Sequence, residues 1–226
     1  MEQLEQIVSI LSITMGIGWA SGINLYATLL TLGILSHTGH MALPQELQIV
    51  ADPLVMMAAA VMYMVEFVAD KIPGVDTGWD ALHTFIRIPA GAMLAAGAVG
   101  DISPAVQLAA AIAGGGMAMT THAAKSGTRV IINTSPEPFS NWLASIGEDI
   151  TVILGLWAAI MHPWLFLALL LAFLLLIIWL LPKLWAAIKA VFRTVGRLFQ
   201  SAAPPATSPP STSGDLPKQY RENPRD

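Results

Sequence analysis

Cysteine is absent from the 226-residue chain, which excludes a disulfide scaffold and a thiolate metal site and leaves the redox compartment unread. Charge is scarce: 12% of residues are Asp, Glu, Lys or Arg, against roughly 25% in a soluble domain. With 55% apolar residues, too little polar surface remains to coat a water-soluble globule, and a disordered chain is excluded as well. A basic excess is also missing. Eleven Lys/Arg stand against fifteen Asp/Glu, a net charge of -4, so no nucleic-acid partner is expected. The opening MEQLEQ lacks the Lys/Arg cluster of a signal peptide, and no small-residue cleavage site follows the first apolar run. That run is therefore expected to be retained as a span.

What is present are long apolar runs, and they predict an all-α polytopic membrane helix bundle. Trp164 to Leu181 carries no polar group except its indoles and is long enough to cross about 30 Å of hydrocarbon. Pro163 is expected to start it and Pro182 to stop it. Weaker spans are predicted over Ile7–Leu35, Pro53–Ala69, Pro89–Gly100, Pro104–Ile132 and Pro138–Met161, six crossings in all. Ser103-Pro104 reads as an N-cap followed by a first-turn proline. With six crossings, the outer loops at 36–52, 101–103 and 162–163 contain no Lys or Arg. This positive-inside pattern places both termini in the cytoplasm and the protein in a bacterial inner membrane. Beyond the bundle (1–182), residues 183–200 interleave Lys183, Lys189, Arg193 and Arg197 with apolar residues at helical spacing, as in a basic amphipathic helix on anionic lipid. Residues 201–226 are Pro/Ser-rich and expected to be disordered.

Ionisable residues inside the spans are the candidate site. His122, Lys125 and Arg129 recur on one face of the fourth span, while Asn141, Ser145, Glu148 and Asp149 lie on the fifth. Glu148 is about ten residues from Pro138, roughly 15 Å along a helix, and Lys125 lies at a similar depth. An unpaired charge there costs about 2.5–3.5 kcal/mol or more, so His122 and Lys125 are expected to pair with Glu148 and Asp149. On the first span Asn24 joins Ser21, Thr28 and Thr31 on a polar face, with Tyr26 beside it. These groups read either as a substrate or ion-coupling site or as a lock between helices.

Residues 66–89 form the densest polar stretch before the tail. Asp76 or Thr77 can cap a short interfacial or re-entrant helix, with Asp80, His83 and Arg87 on one face and Trp79, Leu82, Phe85 and Ile86 on the other. Asp70, Asp76, Asp80 and His83 are suited to a hard divalent ion, although no fixed metal motif is present. Ser135 and the prolines near 136–138 read as a helix start friendly to anions, one turn beyond Arg129. The glycines at 16, 18 and 22 follow no strand, so a dinucleotide loop fails its context and close helix packing is expected. The sequence does not say which cofactor, if any, the protein uses.

The first and fourth spans align at an offset of 100 residues, with Gly16 on Gly116, Ser21 on Thr121 and Thr28 on Thr128. Two inverted three-helix halves, a transporter-like architecture, would produce such a match. The runs EFVADKIPGVDTGWDALHTFIRIPAGA (66–92) and HAAKSGTRVIINTSPEPFSNWLASIGED (122–149) resemble the hallmark segments of a bacterial membrane family catalogued as a domain of unknown function, number forty-one twenty-six. The resemblance covers about residues 10–180. It implies an integral membrane protein and one shared site for the two segments, and it supplies no activity or catalytic residue.

Three functions follow from these features. A small transporter or lipid flippase would use the intramembrane charges, with membrane lipids around it and an anionic or lipid-phosphate substrate. A metal-dependent enzyme acting on a lipid phosphate would use Asp76, Asp80 and His83. A scaffolding protein would use the charges only to hold helices together.

Overall fold

The computed structural model describes residues 1–72, 74–134 and 139–201, with the side chains of 184, 187, 191, 192 and 194–201 outside the description. The described residues form α-helices and one 3₁₀ segment, with no strand. The expected anion-friendly start at 135–138 and the tail from 202 lie outside them. The chain divides into two compact units, Met1–Val191 and Phe192–Asp226.

The first predicted span is two helices, α1 (Glu2–Ile23) and α2 (Leu25–His37), broken at Asn24. Asn24 is extended (φ -147°, ψ 102°), and its side chain accepts from the Ala27 amide at 2.9 Å, so the residue that breaks one helix caps the next. A 3₁₀ segment, Gln45–Ala51, then bends by 62° into α3 (Pro53–Ala69). Asp52 caps α3 through Leu54 N at 2.8 Å, with Pro53 in its first turn.

Helix α4 (Val75–Ala98) corrects the expectation of a short interfacial helix followed by a separate twelve-residue span. It is one helix of 24 residues that continues through Pro89, about 36 Å long. Its orientation also differs from that of an interfacial helix. Asp76, Asp80, His83 and Arg87 are buried against the protein, while Leu82 and Ile86 point outward and Phe85 is 81% exposed. A helix with its charges inside and its apolar face outside suits lipid as the surrounding solvent.

Helix α5 (Pro104–Ile132) begins as expected, Ser103 accepting from Val106 N at 3.3 Å. Helices α1, α4 and α5 pack closest. A Cβ on Gly18 would meet Gly114 Cα at 2.7 Å, and one on Gly91 would meet Ala118 Cβ at 2.7 Å. Small residues thus bring backbones together where lipid supplies no hydrophobic drive.

Helix α6 spans Phe139–Met161 and α7 spans Pro163–Ser201. The expected stop at Pro182 does not occur, because α7 runs through it. A proline removes only its own N–H and crowds one carbonyl a turn earlier, so it tilts or kinks a long helix without always ending it.

Helices α1, α6 and Pro163–Ala190 of α7 are long and apolar enough to cross a membrane, and the bent pair Gln45–Ala51 and Pro53–Ala69 makes a fourth. The chain is therefore read as a membrane protein. Helices α4 and α5 have the length, and the charges that lower their hydropathy face the protein interior.

Of the three aligned pairs of the offset repeat, Ser21 and Thr121 are both buried, and the other two differ in surroundings. Gly16 faces Ala159 and Phe166 whereas Gly116 faces open space, and Thr28 is buried whereas Thr128 is exposed.

Candidate functional site

The turns after α3 and α5 and the start of α6 lie at one end of the bundle, and the buried ionisable side chains gather near it. Successive residues at helical spacing put each one inward: Asp80 and Arg87 on α4, Lys125 and Arg129 on α5, Asn141, Ser145 and Asp149 on α6.

Lys125 is the centre. Its Nζ lies 3.2 Å from the Ile23 carbonyl, 3.3 Å from Glu66, 3.2 Å from Asp70, 3.2 Å from Glu148 and 3.8 Å from Asp80. Arg87, fully buried, donates to Glu66, to Asp80 at 3.3 Å and toward the Gly22 carbonyl at 3.5 Å. Arg129 donates to Glu148 at 2.9 Å, to Asp70 at 3.3 Å and to the Asn141 carbonyl at 3.1 Å. The break at Asn24 ends α1 here, so carbonyls of its last turn that the helix leaves free, Gly22 and Ile23, meet Arg87 and Lys125. This is the favourable sign for a helix C-terminus.

The expected pairing is correct for Lys125 with Glu148 and wrong for His122 with Asp149. Arg87 can only donate, so His122 Nδ1 accepts from it at 3.1 Å. Its Nε2 then carries the proton and donates to the Asp80 carbonyl at 3.0 Å, which makes this ring the neutral tautomer. Asp149 instead accepts from Asn24 at 3.0 Å and from Tyr63 at 2.7 Å. Equal depth along two helices is not enough for contact, because the faces must also turn toward each other.

The proposed metal quartet does not converge. Among the described residues, no group of three or more His, Asp and Glu is placed to hold a metal ion. Asp76 is taken by Asn133 at 2.8 and 2.9 Å, and by the amides of Gly74 and Thr77, which anchors the start of α4 to the end of α5. His83 stacks on Trp79, donates from Nδ1 to the Trp79 carbonyl at 2.9 Å and meets Tyr26 Oη at 3.1 Å. Asp70 and Asp80 belong to the Lys125 cluster. Ser145 is buried on the α6 face that carries Asp149.

Glu66 is the principal residue that sequence reasoning missed. It is fully buried and binds both Arg87 and Lys125. The signal was present: a carboxylate in the Met/Ala-rich third span has the same cost as those singled out on the fifth. Tyr63, which donates to Asp149, was missed as well. In the turn after α3, Lys71 lies over the Phe67 ring, 2.8 Å from its centroid. Its pKa is lowered by burial, with Asp149 and Asp70 pulling the other way.

Two features decide what the cluster can do. Four carboxylates (Glu66, Asp70, Asp80, Glu148) face three cations (Arg87, Lys125, Arg129), leaving one negative charge in excess. Asp149 and Lys71, which attract each other at the edge of the cluster, add one formal charge of each sign and leave the excess unchanged. Three carboxylate oxygens, Glu66 Oε2, Asp70 Oδ1 and Asp80 Oδ2, are buried without a hydrogen-bond partner among the described residues. Only Glu148 reaches outward, its side chain 19% exposed. Four apolar grooves of about 390, 430, 680 and 570 Å³ lie on the helix surfaces, and none of the four is lined by a residue of the cluster.

The fold and this cluster define an integral membrane helix protein with a buried ionic core. The sequence model of one family, described as a domain of unknown function (DUF4126), matches residues 11–183, and the chain belongs to that family. Every residue of the cluster lies within the matched region. No curated protein and no solved structure matches the chain.

Proposed function

We propose that this protein is a small membrane carrier whose Lys125 cluster binds and releases one positive charge, a proton or a small cation, during transport. The observation that carries the reading is the charge imbalance. A structural clasp between helices needs matched pairs, and buried pairs are often no more stabilising than apolar packing of the same volume. An uncompensated carboxylate with unpartnered oxygens beside it has capacity for one more positive charge. Loading that charge removes the excess, so the loaded and empty states differ in electrostatic energy, as a coupled carrier requires.

The other expectations from sequence stand with this proposal: six crossings, both termini on the cytoplasmic side of a bacterial inner membrane, and lipid around the bundle. The inverted halves belong to the same proposal; Ser21 and Thr121 are alike in burial, while the other two aligned pairs differ in surroundings. A negative cluster also favours a cation over the anionic or lipid-phosphate solute as the species bound at Lys125; an anion would have to be cotransported from elsewhere.

The test is reconstitution into liposomes with a trapped pH-sensitive dye. Wild type should dissipate an imposed pH gradient faster than empty vesicles, and Glu148→Gln should slow it at least tenfold. Rates equal to wild type in both Glu148→Gln and Asp149→Asn would remove these carboxylates from the mechanism.

A further inference from the structure

The largest of the four grooves, about 680 Å³, runs between α5 and α7. Small residues at helical spacing, Ala123, Ser126 and Gly127, form much of its α5 wall, and bulky ones, Ile178, Trp185 and Ile188, form much of its α7 wall. We propose that this groove holds one acyl chain of an anionic phospholipid drawn from the surrounding bilayer, with the lipid phosphate beside Lys189. The site is independent of the carrier reading. Lys125 and Arg129 lie on the inward face of α5, and none of their partners lines the groove.

Shape sets the occupant. A small wall opposite a bulky one leaves a gap that no described side chain fills. Helices in lipid have no hydrophobic drive to close such a gap, and an acyl chain recovers the dispersion contacts that an empty one forfeits. From Ile178 to Ile188 the groove follows about ten residues of α7, roughly 15 Å along its axis. That is half of the about 30 Å of hydrocarbon in a bilayer, the depth of one leaflet and the reach of one acyl chain. The groove also falls in the C-terminal half of Pro163–Ala190, the part of α7 apolar enough to cross a membrane.

Charge selects the lipid. The Lys189 ammonium lies 5.0 Å from the centroid of the Trp185 ring, and that ring lines the groove. Lys189 follows Trp185 by four residues, so both stand on one face of α7 with Lys189 a turn farther along. An amphipathic ring and a cation together are suited to headgroup level. Neither wall helix contains Asp or Glu, so no carboxylate of α5 or α7 opposes a phosphate. A choline headgroup carries its own cation, which Lys189 repels, whereas a glycerol headgroup carries none. Lys183 supplies the contrast. Its ammonium lies over Trp179, 3.0 Å from the ring centroid, and neither residue lines the groove. It precedes Trp185 by two positions, about 200° around the helix, and so faces the bilayer at large.

The experiment offers the full chain, purified in detergent and stripped of native lipid, equal amounts of phosphatidylglycerol and phosphatidylcholine with identical acyl chains. Native mass spectrometry then reads the lipids retained and the copies of the chain. Wild type should retain one phosphatidylglycerol in preference to phosphatidylcholine by about fivefold, the worth of one lysine near an anionic headgroup. Lys189→Gln should bring the two lipids to parity, while Lys183→Gln, with the same loss of charge, should keep the preference. Ala123→Phe, at an exposed position of the wall, should fill the groove and abolish that first retained lipid. Equal retention of the two lipids by wild type overturns the site. An equal loss of preference in Lys183→Gln and Lys189→Gln does so too, since it would mean a lipid annulus drawn by the basic helix as a whole. Unchanged retention in Ala123→Phe overturns the groove as the place of binding. A lipid-free wild-type dimer that Ala123→Phe splits would assign the groove to a second copy of the chain and overturn the proposal as well.

Discussion

Exchange of Arg87 for Gln and of Glu66 for Gln, two buried partners in one ion pair, should have very unequal effects. Arg87→Gln leaves four carboxylates facing Lys125 and Arg129, raising the excess from one negative charge to two. Breaking a buried pair in this way costs about 3–5 kcal/mol. Glu66→Gln leaves three carboxylates against three cations. Arg87 keeps Asp80 at 3.3 Å, Lys125 keeps Asp70 and Glu148 at 3.2 Å, and the Gln carbonyl still accepts from Arg87. The loss is then the difference between a charged and a neutral hydrogen bond, about 1–2 kcal/mol. At about 2–4 °C per kcal/mol for a chain of this size, Arg87→Gln should lower the midpoint by roughly 6–20 °C and Glu66→Gln by roughly 2–8 °C. The double variant has three carboxylates against two cations, so it should be more stable than Arg87→Gln alone. Thermal unfolding of purified protein by intrinsic tryptophan fluorescence reads all three. If Glu66→Gln proves as damaging as Arg87→Gln, or the double variant is the least stable, the excess negative charge is not there.

Further outcomes follow from contacts elsewhere. Lys125→Ala with Glu148→Ala should lose less stability than the two single losses added, by about 0.5–3 kcal/mol in a double-mutant cycle, and additive losses would deny the pairing. Gly18→Ala should cost about 1–3 kcal/mol by forcing a Cβ against Gly114, whereas Gly116→Ala, with open space around it, should leave the midpoint unchanged or raise it by up to about 1 kcal/mol equivalent. A cysteine placed at Gln45 in this cysteine-free chain should react with an impermeant maleimide from outside the cell and one at Lys183 only from the cytoplasm; the reverse pattern would invert the topology.

What could be read from sequence was period and boundary chemistry. Ser103-Pro104 marks a helix start through groups that act within one turn, and the spacings at 76–87 and 122–129 each place their polar residues on one helix face, which the structure turns inward. Proline was the least reliable guide: Pro89 and Pro182 sit inside continuous helices. The break at Asn24 was hidden because it depends on a side chain capping α2 and reaching Asp149, 125 residues away. Depth arithmetic found Lys125–Glu148 but not the rotation that turns His122 toward Arg87. Glu66 became a site residue, and Asp80 a partner of Lys125 instead of a candidate metal ligand, only once α3 and α4 were placed beside α5, since nothing local to either residue names Lys125 as its partner.

The account turns on the cluster's capacity for one further positive charge. Proteoliposomes adsorbed to a solid-supported membrane and given a rapid drop in pH read that capacity as a transient current. Wild type should show a charge displacement as the cluster takes up a proton, and Glu66→Gln, whose three remaining carboxylates already balance the three cations, should show almost none. Equal displacements in the two proteins, or none in wild type, would contradict it.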